Sequence, residues 1–231
     1  MQGFRETFSV TVRQVLFFLI PITLLFLIIR AQIVRVVVGA GAFDWDATIL
    51  TANTLAFFAL TIIPQSLIYI LARAFFALHD TATPLTAGLV GSLVGLISAF
   101  LFKTSFGVIG LGMAFSLSVI VNLVLLWVPL RQRVGSLDES TIFPSVMKLC
   151  VAGMVCALIA QFAKPGLSAY FALETFWGVL LQGGIAGTLG VMGYFAVAWM
   201  LKSQELFAFV SSLQRKVLRK SRPNEPVTVQ E

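Results

Sequence analysis

Apolar residues fall in six long blocks separated by short polar segments. A helix needs roughly 20 residues to cross the ~30 Å hydrocarbon core, and every block is about that long or longer. The alternating pattern of outer-membrane strands is absent, and lipid offers no partner to unpaired backbone groups. The pattern predicts an all-α, polytopic integral membrane protein with about six transmembrane helices, at Gln14 to Val38, Leu50 to Ala77, Pro84 to Phe102, Val108 to Leu130, Phe143 to Phe162 and Leu173 to Leu201.

Composition supports this interpretation. Hydrophobic residues make up 58% of the 231 positions and charged residues 11%, values far from those of a water-soluble domain. The first block continues past Pro21 and shows no small-residue cleavage pattern, so it is predicted to be a spanning helix and not a signal peptide.

The basic residues predict the orientation, because Lys and Arg accumulate in cytoplasmic loops. With the N-terminus inside, twelve of the sixteen fall on the cytoplasmic side, and Arg30, Arg35, Lys103 and Lys164 fall outside. We therefore expect a multi-pass membrane protein with both termini in the cytoplasm.

Basic residues are also dense after the last block, between Gln214 and Arg222. Such a cluster suits anionic lipid headgroups, which we favour over a nucleic-acid partner. The polar residues beyond Pro223 are predicted to be disordered. We divide the chain into four helices over residues 1–133, a final helix pair over 134–201 and a basic cytoplasmic tail, partly disordered, over 202–231.

The chain carries few groups for catalysis or metal binding. His79 is the single histidine, and no Cys/His spacing or nucleotide-binding glycine loop occurs. Asp44 and Asp46 in the turn-rich segment Gly39 to Thr48 could bind a cation, although a solvated loop explains them better because two carboxylates supply too few oxygen ligands. We therefore expect no enzyme activity, no cofactor and no metal.

Prolines and small residues inside the blocks have two explanations each. Pro21 and Pro64 would kink their helices, either as hinges or as tolerated irregularities. Small residues at Gly91 and Gly95, and again at Gly183 and Gly187, permit close helix packing. Packing is the default, although the glycine-rich face of the sixth block could also hold an acyl or isoprenoid chain.

Four polar residues are candidates for substrate binding: Arg13, Arg73, Asn53 and Asn122. Ionisable groups in a span are costly and therefore suggest function. Arg13 could pair with a phosphate in a hydrated cavity or extend to the interface, and the second alternative is favoured by its position near the block's end. The asparagines could instead hydrogen-bond neighbouring helices.

The junction of the second and third blocks forms a predicted cytoplasmic elbow containing Arg73, Asp80, Thr81, Thr83 and Pro84. Asp80 or Thr81 can cap the incoming helix, and Pro84 suits its first turn. Arg73 precedes the end of the outgoing helix, where a cation interacts favourably with the helix dipole.

The elbow sequence resembles that of the MurJ (MviN) family of lipid II flippases, in the multidrug/oligosaccharidyl-lipid/polysaccharide (MOP) exporter superfamily, where Arg-x-Phe-Tyr-Ala-x-x-Asp-Thr-x-Thr-Pro recurs. Looser similarity extends over Arg13 with Pro21, Gly39 to Phe43, and Gly110 to Ala114 with Asn122. The resemblance implies the last six of about fourteen helices, which form two repeated lobes and a final pair. It also implies that the final pair provides a groove for a polyprenyl tail.

The function implied by the resemblance is that of the C-terminal part of a lipid II flippase, acting by alternating access in peptidoglycan synthesis. Its partners would be the lipid-linked precursor, membrane lipids and an N-terminal half, in the same or a separate chain. The family's essential headgroup-binding residues belong to that half. Alternatives are an O-antigen or polysaccharide-unit flippase, a drug exporter, or a non-transporting scaffold for cell-wall enzymes.

Overall fold

A computed structural model describes residues 2–38, 45–168 and 175–211. These residues form helices and no strands, which confirms the all-α class. Six helical segments are long and apolar enough to cross a membrane, α2 and α3 counting together as one, as predicted. The helices are α1 (Gln2–Val38), α2 (Trp45–Leu60), α3 (Ile62–Ala77), α4 (Ala82–Phe106), α5 (Val108–Val134), α6 (Glu139–Ser168) and α7 (Phe176–Met200).

The second predicted span is interrupted at Thr61 between α2 and α3, where the sequence predicts one kinked helix. Pro64 has no N–H to donate to the carbonyl four residues earlier, at Leu60, so the helical ladder loses a bond there. A tighter turn replaces it, in which the Thr61 N–H and hydroxyl both donate to the Phe58 carbonyl, at 3.1 and 2.7 Å. Pro21, by contrast, lies inside a continuous α1.

Helix α1 begins twelve residues before the predicted span. Phe8, Val12 and Leu16 recur at four-residue spacing and are all buried, so one face of this polar segment belongs to the core. Its 37 residues extend about 55 Å, well beyond the ~30 Å hydrocarbon thickness.

Helix α1 is the central element of the packing. It contacts α6 and α7 on one side and α2 and α3 on the other. Helices α4 and α5 form one antiparallel hairpin, α6 and α7 form a second, and α5 also packs against α2 and α3. The predicted division between residues 1–133 and 134–201 stays a prediction. In the structure α1, which belongs to the first segment, packs against α6 and α7 of the second segment.

The α4–α5 contact is close because glycines face it. A Cβ on Gly95 would lie 2.8 Å from the Ser118 Cβ, and one on Gly91 would lie 3.0 Å from the Asn122 Cβ. The Ser118 hydroxyl donates to the Gly91 carbonyl at 2.8 Å. These contacts confirm the predicted packing role of Gly91 and Gly95. The outer face of α4 remains an exposed apolar stripe that includes Leu85, Leu89, Leu93 and Ile97.

Three predicted features lie outside the described residues. They are the Gly39 to Phe43 segment, the basic cluster Gln214 to Arg222 and the residues after Pro223. Within the predicted tail, residues 204–211 are helical.

Candidate functional site

The elbow between α3 and α4 turns by way of a residue in the left-handed conformation. His79 has φ 57°, and the N–H groups of His79 and Asp80 donate to the carbonyls of Phe76 and Phe75, each at 3.0 Å. This arrangement is a Schellman ending, which usually places glycine at the left-handed position. The elbow therefore carries some backbone strain at His79.

Asp80 caps α4 and binds a cation from another helix. Its Oδ1 accepts from the N–H groups of Ala82 and Thr83, both at 3.0 Å, and its Oδ2 accepts from the Thr83 hydroxyl at 2.6 Å. Arg133 forms an ion pair with Oδ2 at 2.5 Å. The hydrogen bonds from Thr83, together with Arg133, lower the pKa of Asp80 to about 2. Thr81, the other predicted cap, makes no capping bond through its side chain.

Arg133 lies in the last turn of α5 and attaches the elbow to that helix. Its guanidinium also lies 5.6 Å from the ring centroid of the fully buried Phe75. In the same turn Arg131 pairs with Glu139 of α6 at 2.9 Å, and Arg5 of α1 donates to the Val134 carbonyl. One end of the bundle is thus joined by cations that connect α1, α4, α5 and α6.

Arg73 is exposed and lines an open groove of about 290 Å³ between α1 and α3. The walls are mainly apolar, from Phe4, Phe8 and Ile70, with the hydroxyl-bearing Thr7 and Thr11 beside them. Among the ion pairs of the described residues none includes Arg73. Its cation is therefore accessible to an anionic ligand at the elbow end of the bundle.

Arg13 is half-buried, and its guanidinium contacts protein groups. Its Nη1 lies 3.6 Å from Glu205 Oε1, where the two side chains are 13% and 5% exposed. The same nitrogen donates to Gln204 at 3.1 Å and to Ser145 of α6 at 3.4 Å. The predicted phosphate contact stays a prediction, and in this conformation a carboxylate already neutralises the cation.

The candidate asparagines lie elsewhere. Asn53 is half-buried on α2, and Asn122 packs on Gly91, with an Oδ1 that has no hydrogen-bond partner among the described residues. Neither lines the groove of Arg73, nor does Arg13. The four candidates therefore do not form one pocket. No cluster of three His, Cys, Asp or Glu side chains that could hold a metal occurs in the described part of the chain.

A mainly apolar seam runs along α1 and is bordered by α7 and the residues that follow α7; it consists of three cavities, and we call it the α1–α7 seam. The middle cavity, of about 120 Å³, lies between Pro21, Leu25 and Phe195. The cavity nearest the elbow end, about 180 Å³, lies between Gln14, Phe18 and residues 205–209. The far cavity, about 260 Å³, is lined by Ile29, Gln32, Ile33, Val36, Val37, Val179, Leu180, Gly183 and Gly184.

The glycine face of α7 borders the far cavity of this seam. A Cβ on Gly183 would lie 3.2 Å from the Gln32 Cβ, whereas a Cβ on Gly184 would meet no atom within 4 Å. Gly183 therefore provides helix contact, and Gly184 leaves space. At the elbow end the seam is closed by Phe209, whose ring centroid lies 5.2 Å from that of Phe18. The packing explanation is thus confirmed at Gly183, and the explanation that this face holds an acyl or isoprenoid chain stays a prediction.

Six spans of sufficient length and apolarity, with an apolar seam beside the first of them, define a multi-pass helical membrane protein. A family model described as lipid II flippase MurJ matches residues 1–181. The chain belongs to the MurJ family, and it is a multi-pass protein of the bacterial inner membrane.

Similar proteins named probable lipid II flippase MurJ occur in several bacteria. The Vibrio cholerae protein is 26% identical over 204 residues, which are 86% of this chain and 38% of that protein. The Thermotoga maritima protein is 25% identical over 88% of this chain and 39% of its own length. The Treponema pallidum protein is 27% identical over 74% of this chain and 33% of its own length. The chain thus spans well under half the length of these curated relatives.

Sequence reasoning did not identify Arg133 and Glu205 as structural partners. Both follow the ends of predicted spans, where basic and acidic residues are common, so neither position is distinctive on its own. The available signal was charge complementarity, since Asp80 and Arg13 each lie beside the end of a predicted span, where a residue of opposite charge can pair with them.

Proposed function

We propose that this chain is the C-terminal part of a lipid II flippase, which moves a polyprenyl-pyrophosphate-linked precursor from the inner to the outer leaflet for peptidoglycan synthesis. The observation that carries the proposal is the family match over residues 1–181. The α1–α7 seam supports it, because a flippase has to shelter a long apolar tail while the headgroup crosses.

The energetic problem is the charged headgroup, since an ionised group at the bilayer centre costs at least a few kcal/mol. A hydrated cavity between two lobes lowers that cost, and a lateral seam keeps the tail in an apolar environment. Alternating access then requires only rocking of one lobe against the other. No bond is formed or broken, so a transporter needs no catalytic group.

The partner in this mechanism is an N-terminal half, in the same polypeptide or a second one. The chain matches about two fifths of its relatives, and α4 presents an exposed apolar stripe that such a half or lipid can cover. The distribution of Lys and Arg supports a cytoplasmic location for both termini. The clustering of Arg5, Arg13, Arg131 and Arg133 in contacts at the elbow end supports that orientation.

Within the proposed transporter, Arg73 is the candidate residue best placed to meet an anionic headgroup, because it is exposed in an open groove without an ion-pair partner among the described residues. Arg13, Asn53 and Asn122 remain weaker candidates for the same role. The elbow residues Asp80 and Thr83 would keep α3 oriented so that Arg73 faces the groove.

The test is lipid II translocation in vesicles containing the chain reassembled with an N-terminal half. Arg73→Ala should lower translocation several-fold while leaving the amount of inserted protein unchanged. Lys103→Ala, which removes an exposed charge near the end of α4, is the matched control and should transport normally. Unchanged translocation with Arg73→Ala would remove Arg73 from the site, and absence of translocation by the reassembled wild type would favour the scaffold alternative.

A further inference from the structure

The far end of the α1–α7 seam, opposite the elbow, carries two cations on adjacent helices. Arg30 of α1 donates to the Leu27 carbonyl at 3.1 Å, and Lys164 of α6 donates to the Ile28 carbonyl at 2.9 Å. The two carbonyls are consecutive, so the cationic groups are held in the same turn of α1. Like charges held in one turn of a helix repel one another.

Neither cation is neutralised within the described part of the chain. The ion pairs there involve Arg13, Arg131 and Arg133, all at the elbow end. Arg30 and Lys164 are each half-buried, and two like charges in partly apolar surroundings raise each other's free energy. An anion bound between them would relieve that repulsion.

Polar amides connect these cations to the far cavity of the seam. The buried Gln182 donates to the Lys164 carbonyl at 3.0 Å and accepts from Gln32 at 3.4 Å. Gln32 lines the cavity, and its Oε1 is buried without a hydrogen-bond partner among the described residues. A buried unpaired acceptor costs free energy unless a ligand or water donates to it.

We propose that Arg30, Lys164 and Gln32 form an outer-leaflet docking site for the diphosphate of a polyprenyl-diphosphate lipid whose chain lies in the α1–α7 seam. The site would hold the lipid after its headgroup has crossed. This inference rests on the function and orientation proposed above, and it adds a binding site on the product side of the membrane.

Charge and shape favour this occupant over an ordinary phospholipid. A diphosphate carries more negative charge than a phosphodiester and matches two cations, which bind it through charge-assisted hydrogen bonds. The seam is a single narrow row of cavities between two helices. It suits a lipid with one long tail, whereas a glycerophospholipid would have to leave at least one of its two chains outside.

The experiment measures binding to the 231-residue chain in phosphatidylcholine nanodiscs, with three probes: a polyprenyl diphosphate, the uncharged polyprenol of the same length, and phosphatidylglycerol. Arg30→Gln and Lys164→Gln remove the cations. Lys103→Gln is the charge control, because Lys103 lies exposed on α4, which packs mainly on α5.

Groove occupancy is tested by Gly184→Phe. A side chain there projects into open space beside the far cavity, so the variant should fold and fill the seam. Gly88→Phe is its control, because a Cβ on Gly88 of α4 also meets no atom within 4 Å.

We expect each cation variant to weaken polyprenyl-diphosphate binding about tenfold, the loss of one charge-assisted contact, with polyprenol binding unchanged. Gly184→Phe should weaken both polyprenyl probes, and the two controls neither. Equal binding of the diphosphate by the cation variants and wild type would overturn the site. Equal binding of phosphatidylglycerol and the diphosphate lipid would overturn the choice of occupant. Translocation by the reassembled transporter is a separate readout, so failure here leaves the proposed function intact.

Discussion

The buried Arg13–Glu205 pair offers the sharpest test of how the bundle is held together. Both side chains are almost fully buried, and the contact joins α1 to the residues that follow α7. Replacing Arg13 with Met removes the cation but leaves the Glu205 carboxylate in place, with the Ser203 hydroxyl as a remaining donor at 2.7 Å. The Glu205 carboxylate is then a buried charge whose desolvation cost is no longer offset by a counter-ion.

The expected magnitude is about 3–5 kcal/mol of unfolding free energy for either Arg13→Met or Glu205→Leu, because each leaves a buried charge unpaired. The double variant Arg13→Met/Glu205→Leu removes both charges together and fills the site with apolar atoms. It should be within about 1–2 kcal/mol of wild type, because well-packed apolar replacements of buried pairs are often nearly neutral. The two single losses should therefore be strongly non-additive.

Equilibrium unfolding in mixed detergent micelles at fixed protein concentration measures these differences, and protease cleavage within residues 204–211 reports release of that segment. A double variant as unstable as the sum of the two singles would refute the reasoning. Transport by the double variant adds a second result. A stable double variant that transports normally would assign Arg13 to structure, whereas one that is stable and inactive would support the predicted substrate contact.

Three further predictions concern the elbow and the α4–α5 hairpin. The hydrogen bonds from Thr83, together with Arg133, lower the pKa of Asp80 from 3.8 to about 2. The stability that the ionised Asp80 contributes to the folded protein should therefore be complete above about pH 4 and be lost as the pH falls towards 2. Asp80→Asn should abolish that pH dependence in thermal melts of the detergent-solubilised chain. His79→Gly should stabilise the protein by about 1 kcal/mol in detergent unfolding by relieving the left-handed conformation, and a loss of stability would contradict this. Gly95→Ala should destabilise by about 1–3 kcal/mol because its Cβ would overlap Ser118, whereas Gly88→Ala should be nearly neutral in the same assay.

The spans were predictable because lipid imposes long uninterrupted apolar stretches, but their ends were less so. The first helix starts at Gln2 and not Gln14, because counting apolar residues overlooks an amphipathic turn whose Phe8 and Val12 face the core. The interruption at Thr61 was predicted only as a kink at Pro64. Proline removes a known hydrogen bond, but whether the helix bends or breaks depends on local alternatives such as the Thr61 hydroxyl.

The elbow was the most predictable part of the candidate site, because capping depends on neighbours in sequence. Asp80 and Thr83 are three residues apart, and their contact follows from local geometry. The partners Arg133 and Glu205 were not predictable, since each pairs with a residue on a distant helix. Pairing between residues far apart in sequence depends on how the helices pack, and neither the pattern of apolar and polar residues nor the composition specifies that packing.

The contact between Arg13 and the segment after α7 also affects how the protein is made. Arg13 belongs to α1, and Gln204 follows it by 191 residues, so Gln204 is translated after all the described helices from α1 to α7. During synthesis the guanidinium therefore remains without these partners until α7 has been inserted. We therefore expect Arg13 to gain these contacts late in membrane integration, once residues 203–206 have been synthesised.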